Sequence, residues 1–498
     1  HFGSSDPGSG LSGSRLPRPS AGQPGPMSSR HLGSVVAALF LSWLPRPLHA
    51  SADLRGALSE SPGDRLPVFG EGVRRNLFMF ENGFLNFNHG GFGATPRPVR
   101  QAMEAFTDRM ETQPTAWFGG GGYRAVLDQV RPLLARLLGA NSSDVVFLDN
   151  ASAGLTAVLR SMDWKRGDVL LLTDAAYAVI PNTADWLERR YGIRTLRARI
   201  EYPVSGPESY VEPVRQLLAE LSQAERSRVR LAVFDHISSY PAVVLPVAEL
   251  AQLVKRATGG RGLVMLDGAH ALGQVPVDVE KLRKAGVDFW VGDGHKWLLS
   301  PRGSAVLWAA RPAQALLEPD VISSDNAPGT AFQERFDYIG TRDYTPWCAV
   351  GAALDFRTSL GGDGRIHGYI HELAVWAGEM LASRLGTEVL APPSMTPAMT
   401  NVRLPIPPSW PAEEQRRCAS AVGEDLAAKD RMQLITFTLR TTSGEGGSAR
   451  VERETHWARI SAQVYLERAD FERLASRILS RVAGCSHGAR LDGDLVRV

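Results

Sequence analysis

From about Pro98, apolar residues recur at helical spacing. Val99, Met103, Phe106 and Met110 share one face, and Pro98 sits in the first turn, where its missing N–H leaves no bond unmade. A second helical pattern covers residues 123–138 and stops at Gly139. Short apolar runs then alternate with helical stretches, at 145–148, 169–172, 231–234, 263–266, 289–291 and 305–308. Runs this short, rich in β-branched and aromatic residues and bounded by turn formers, read as buried strands. Strands spaced by helices predict an α/β fold with a large, mostly parallel sheet covered by helices on both faces. Ligands in such sheets sit at the carboxyl ends of the strands. Asp149, Asp174, Asp235, Asp267 and Asp293 all follow an apolar run, although any one of them could simply cap a helix.

The pattern changes after about Pro346. A long helical region covers 347–385 with a break at Gly361-Gly362-Asp363-Gly364, then a Pro-rich stretch covers 391–408. Helical patterns at 411–426 and 468–482 are mixed with strands, which predicts a smaller C-terminal α+β domain. Residues 440–454 are polar and Gly-rich and read as a mobile loop between two strands. No internal repeat is visible. The chain therefore divides into 1–26, 27–52, 53–97 (an N-terminal arm), 98–345 (the large domain) and 346–498 (the small domain).

The N-terminus has a different character. Residues 1–26 are rich in Gly, Ser and Pro and read as disordered or upstream sequence. After Met27, Arg30 and His31 precede an apolar run over 32–44, followed by small residues near Ala50 and Ala52. This is the layout of a secretory signal or an organelle-targeting leader. The run is shorter than the ~20 residues needed to span a bilayer, so a soluble mature protein is expected.

Composition narrows the function classes. The 498 residues are 44% hydrophobic, enough for a buried core and two or three domains. A net charge of +2 gives no broad field for nucleic acid or an anionic membrane. Three cysteines cannot form a disulfide framework, and one must stay unpaired. No Cys/His cluster has zinc spacing. Lysine occurs only at 165, 255, 281, 284, 296 and 429, so few amines are available for chemistry.

Two of the strand ends carry a complementary pair. Asp267 ends the run Leu263-Val264-Met265-Leu266, and Lys296 follows Phe289-Trp290-Val291-Gly292-Asp293-Gly294-His295. A carboxylate and an amine so placed suit pyridoxal 5′-phosphate (PLP). The amine would form a Schiff base with the cofactor aldehyde, and the carboxylate would pair with the protonated pyridine nitrogen. Gly268 and Ala269 would let the ring approach closely and place His270 nearby. Asn150-Ala151-Ser152-Ala153-Gly154, directly after a strand, supplies small residues and a hydroxyl where a phosphate needs backbone donors at a helix start, although Ser152 could instead cap that helix. The glycine cluster 119–122 precedes the strands, so it does not fit the Gly-x-Gly-x-x-Gly turn of a dehydrogenase.

Several segments in this order resemble the class V aminotransferase family of fold-type I PLP enzymes, closest to its isopenicillin N epimerase-like branch. They are Phe84-Leu85-Asn86-Phe87-Asn88-His89-Gly90, Asp235-His236-Ile237-Ser238-Ser239-Tyr240-Pro241, the Asp267 and Lys296 segments, Gly340-Thr341-Arg342-Asp343 and Arg459-Ile460-Ser461-Ala462. The resemblance implies that Lys296 carries the cofactor and moves the Cα proton, and that Asp267 pairs with the pyridinium. It places His270 and Ser239 near the phenolic oxygen, Tyr177 stacked on the ring with Asn182 as a polar neighbour, and Ser152, Ala153 and His295 at the phosphate. Thr341 would reach that phosphate from a neighbouring subunit, which implies a homodimer with shared sites. Arg459, on an apparent strand over 457–465, would bind the substrate carboxylate, and Asn88 and His89 would line the entrance. Asp293 departs from the family pattern, which has Asn or Ser near the phosphate.

An amino acid or amino-acid-derived substrate is expected, with the outcome open between epimerisation, C–S β-elimination of the ergothioneine type and transamination. The branch label favours the epimerase. A cysteine desulfurase is disfavoured, because no cysteine lies on the segment before Arg459. A secreted binding protein on an inactive fold is the reading of another class.

Overall fold

The carboxyl ends of the buried runs, that of 305–308 excepted, are brought to one edge of a single sheet in the computed structural model, which describes residues 66–443 and 451–488. The expected leader and upstream sequence lie outside these residues. The strands are β1 (Leu85–Asn86), β2 (Val145–Leu148), β3 (Val169–Thr173), β4 (Arg194–Ala198), β5 (Val229–Asp235), β6 (Leu263–Asp267), β7 (Phe289–Asp293), β8 (Ala305–Ala309), β9 (Met399–Arg403), β10 (Met432–Gln433), β11 (Ile435–Ser443) and β12 (Val451–Ser461).

A seven-stranded sheet has the order β2-β8-β7-β6-β5-β3-β4. Only β8 runs against the others, pairing antiparallel with both β7 and β2. The α/β reading with a mostly parallel sheet therefore holds. All six predicted runs are strands, and β2, β3, β7 and β8 are buried at every position, as expected of strands covered on both faces. The sequence pattern missed β4. It is an edge strand carrying Arg194 and Arg197 exposed, with only Ala198 fully buried, so no apolar run marks it.

Helices Arg97–Thr112 and Gly122–Leu137 form where their periodicity predicts. The break in the long helical region is real. A helix over Val350–Ser359 stops before Gly361, which adopts φ 99°, and the next runs over Gly362–Leu385. This helix packs against β9, which lies inside the Pro-rich stretch.

The second sheet, β11-β12-β9, is antiparallel. It corrects the predicted loop over 440–454. The hairpin pairs Arg440 with Glu454 and continues to Ser443 opposite Val451, so both ends of that segment are strand. Polar composition misled here because this hairpin extends beyond the core. Residues 444–450 lie outside the described set. The strand expected over 457–465 ends at Ser461.

A short parallel pair, β1 with β10, joins the N-terminal segment to the C-terminal region. Helices Ala412–Asp430 and Arg468–Gly488 pack together and are linked by a Cys418–Cys485 disulfide. Cys348, the unpaired cysteine, is buried. Among the described residues no helix is long and apolar enough to cross a membrane, and no group of three or more His, Cys, Asp or Glu is placed to hold a metal ion.

Candidate active site

Strands β5, β6 and β7 are neighbours, and each ends in a buried aspartate: Asp235, Asp267 and Asp293. Asp235 and Asp267 are register partners. Burial raises Asp235 well above the ordinary carboxylate range, and the charge of Asp267 adds to the effect. Burial also raises Asp267, opposed by the Ala269 N–H and by Lys296. The Ala269 amide donates to Asp267 Oδ1 at 2.9 Å. Over these carboxylates lies a cavity of about 610 Å³, open to solvent. Ser152, Tyr177, Ser239, Asp267, His270, His295 and Lys296 all line it, so the fold gathers seven of the expected residues.

Lys296 follows β7 on a tight turn, with its Nζ 3.0 Å from Asp293 Oδ2. The backbone around it is clamped from two sides. Gly93, at φ 65°, approaches so closely that an added Cβ would stand 1.8 Å from the His295 carbonyl oxygen. On the other side His89 Nε2 lies 3.0 Å from the Lys296 carbonyl oxygen, and Nδ1 lies 3.0 Å from the Tyr465 hydroxyl. His89 is fully buried, with its ring edge-on to Trp297. This corrects its expected place at the entrance: it supports the lysine turn from beneath.

The helix Ala151–Ser161 opens directly after β2. Its N-cap is Asn150, whose side chain accepts the Ala153 N–H at 2.9 Å. Ser152 therefore does not cap the helix and instead faces the cavity. Ala153 is not part of the lining, and its amide is used by the cap. The Ala151 N–H donates to Asp293 Oδ1 at 2.7 Å.

The glycine after Asp267 serves a different purpose from the one expected. A Cβ on Gly268 would meet the Trp290 indole at 2.4 Å, so the close approach is to Trp290, while Ala269 faces the cavity. His270 is buried and held well below its ordinary pKa by burial and nearby cations. The Trp297 indole N–H, which can only donate, lies 3.5 Å from His270 Nδ1. That contact puts the single ring proton of the neutral imidazole on Nε2. His295 is also lowered, chiefly by burial.

Arg459, on β12, is buried and reaches the site through others. Nη1 donates to both the carbonyl and the hydroxyl oxygen of Ser239 at 3.1 Å, and Nη2 donates to Asn88 Oδ1 at 2.8 Å. Its guanidinium lies 4.7 Å from the Tyr240 ring centroid, and its Nε is buried without a hydrogen-bond partner. Among the described residues no carboxylate forms an ion pair with it. Arg459 and Asn88 do not line the cavity; they stand directly behind Ser239. Asn182 lies on the helix Val179–Tyr191, also outside the lining. Thr341 is exposed and bonded to the Tyr338 hydroxyl at 2.8 Å, away from the cavity of its own chain. Its neighbour Arg342 forms an ion pair with Asp149, just before the Asn150 turn.

Four lining residues, Asp235, Gly91, Phe92 and Leu155, were not assigned roles from the sequence. Asp235 belongs to a motif already singled out, and its lone polar position after a buried run was the available signal. Gly91 and Phe92 follow His89, and Phe92 is 72% exposed at the cavity, a feature with no sequence signature.

The family model described as Aminotransferase class-V matches residues 91–407. The chain is 30% identical over 459 residues to putative L-cysteine desulfhydrase 2 of Oryza sativa subsp. japonica, covering 87% of this chain and 93% of that protein. It is 30% identical over 360 residues to isopenicillin N epimerase of Streptomyces clavuligerus, covering 69% of this chain and 86% of that one. A solved variant of C-DES, with glycine covalently linked to its PLP cofactor, matches with a TM-score of 0.64 at 20% identity, over 80% of this chain and 96% of that one. The chain thus belongs to the class V aminotransferase family. It is a PLP-dependent enzyme with the fold-type I architecture.

The residues present fit that cofactor. An amine, a buried carboxylate, a neutral histidine and a helix start built of small residues converge on one cavity. The exception is Asp293, whose carboxylate takes the first amide of that helix.

Proposed function

We propose that this enzyme is a C–S β-lyase acting on L-cysteine or an S-substituted cysteine. The observation that carries the reading is that, among the described residues, Lys296 is the only amine lining the cavity, while His270 and His295 are both held below their ordinary proton affinity. β-Elimination needs one group to take the Cα proton and return it to the departing sulfur. Inversion needs a proton delivered to the opposite face of Cα, and the lining has no second amine for that. The Oryza sativa relative, described as a desulfhydrase, supports the same outcome.

When bound, PLP supplies the electron sink for negative charge at Cα. Lys296 would hold the cofactor and, as the amine nearest the reacting carbon, would act as general base and acid. Asp267 would pair with the ring nitrogen, and His270, with its proton on Nε2, would donate to the phenolic oxygen. Tyr177 stacks on the ring. Ser152 and the helix-start amides, with His295, bind the phosphate, and Thr341 of a second subunit completes that site in a homodimer. Arg459 binds the substrate carboxylate; its missing counterion and unpartnered Nε support this role. For cysteine the balance is cysteine plus water giving pyruvate, ammonia and hydrogen sulfide. None of the three cysteines lines the cavity: Cys348 is buried and the other two are joined. Sulfur therefore leaves to solvent and is not passed to an enzyme thiol.

The test is incubation with L-cysteine, S-alkyl cysteines and a cysteine sulfoxide in D₂O. Pyruvate and ammonia should appear in equal amounts. Cα exchange with inversion and no pyruvate would instead establish the epimerase-like outcome, and the keto acid of the intact substrate would establish transamination.

We also infer that residues 27–52 act as a leader into the secretory pathway or an organelle. The Cys418–Cys485 disulfide supports an oxidising destination. N-terminal sequencing of the protein recovered from cells tests this: an intact Met27 would count against it.

A further inference from the structure

Asp293 and Asp235 are the two acidic residues of the cavity that the reaction above leaves without a task, and of the two only Asp293 touches both Lys296 and a helix start. It is buried, and both of its oxygens are engaged. Oδ1 accepts the Ala151 N–H at 2.7 Å, and Oδ2 lies 3.0 Å from Lys296 Nζ. The Ala151 amide is the first of the helix whose start faces the cavity, and this is where backbone donors and the helix dipole favour an anion.

We propose that Asp293 is a resident counter-anion at the phosphate end of the cofactor site, and that it weakens the hold of this chain on the phosphate group. The inference rests on the family's cofactor and does not depend on the C–S lyase reading. In the free protein the carboxylate is balanced by Lys296 and by the helix start. An incoming phosphate needs those same donors and meets a like charge in buried surroundings, where repulsion is only weakly screened. Little else offsets it. His295 is 3.8 Å from Asp293 Oδ1 but is held toward its neutral form by burial. Arg342, which reaches the residue before this turn from a distant part of the chain, is paired with Asp149. The remaining carboxylates at the cavity, Asp235 and Asp267, supply no positive charge.

Asp293→Asn isolates the charge. The amide has the same shape and keeps an oxygen to accept the Ala151 N–H. Three ligands separate the possible causes: PLP, pyridoxine 5′-phosphate (no aldehyde) and pyridoxal (no phosphate), with binding measured by equilibrium titration. In Asp293→Asn, pyridoxine 5′-phosphate should bind about tenfold tighter, the size of one close like-charge contact partly offset by the lost pairing with Lys296. Pyridoxal should change less than about twofold, since it does not reach the charge at the phosphate end. Unchanged or weaker binding of pyridoxine 5′-phosphate overturns the proposal. An equal gain for pyridoxal also overturns it, by assigning the effect to Lys296. The unmodified protein gives a second measurement that needs no variant. Adding the phosphate to pyridoxine should improve its affinity by less than about tenfold, whereas a gain of about a thousandfold would show an unopposed phosphate site and refute the counter-anion.

Discussion

His89 Nε2 lies 3.0 Å from the backbone carbonyl oxygen of Lys296, and the same imidazole reaches the Tyr465 hydroxyl with its other nitrogen. The lysine turn is thus tied through one buried ring to the segment that follows β12. His89→Ala should lower stability by roughly 2–4 kcal/mol, because it opens a cavity and leaves buried polar partners unpaired. His89→Gln should recover part of that. Chemical unfolding of the two variants beside the parent checks the order.

His89 also shapes the response to acid. Burial lowers its pKa from 6.5 to about 3, and it lowers His236 to about 4. Between those values and 6.5 the unfolded chain binds more protons than the folded one. These histidines therefore make stability fall as pH drops through that window. The raised Asp235 and Asp267 act with the opposite sign, but they are common to parent and variant. Melting temperature followed from pH 7 to pH 4 should fall less steeply for His89→Gln than for the parent.

Lys296→Ala removes the only amine that the described residues bring to the cavity. The variant should bind PLP without developing the visible absorbance of the lysine-linked cofactor, and turnover should drop by about 10²–10⁴-fold or more. Spectra at saturating PLP, with steady-state rates, decide this. Retention of both the absorbance and the rate would require a different residue to carry the cofactor.

Arg459→Lys keeps the charge and loses the planar fork that binds Ser239 and Asn88. If Arg459 anchors the substrate carboxylate, KM should rise by roughly 10–100-fold, the equivalent of losing one charge-assisted hydrogen bond. The change in kcat should be smaller. A fall in kcat with KM unchanged would mean that the arginine serves only to hold Ser239.

The Cys418–Cys485 bond closes a loop with a sequence separation of 67 residues. Replacing both cysteines by serine should cost about 2–4 kcal/mol. Unfolding with and without reductant should show the same difference in the parent and none in the double variant.

Much of the large sheet was legible because strands covered on both faces leave an uninterrupted apolar run, as in Val145–Leu148. Edge strand β4 left no such mark, and β9 was hidden by the prolines around it. The β11–β12 hairpin carries polar side chains on paired backbone, so composition and hydrogen bonding pointed in different directions. Asp267 and Lys296 stood out as polar residues closing buried runs. Asp235 stood out equally, but its pairing with Asp267 requires knowing that β5 lies beside β6, which is a property of sheet order. His89 was visible as part of a motif, whereas the direction of its ring depends on Tyr465, far along the chain. Gly268 was assigned to cofactor clearance because Trp290, which needs the space, belongs to a different strand.

The stretch from Leu85 to Gly93 meets a different element at nearly every step. It pairs with Met432 and Gln433, then touches Arg459 through Asn88, Lys296 through His89, and the His295 carbonyl at Gly93. It works as a ruler laid between the arginine strand and the lysine turn. Its length, more than the identity of any one side chain, is what it holds constant: an insertion of one residue anywhere along it would put two of these attachments out of step and change the distance at which a substrate carboxylate and the reactive amine can be met together.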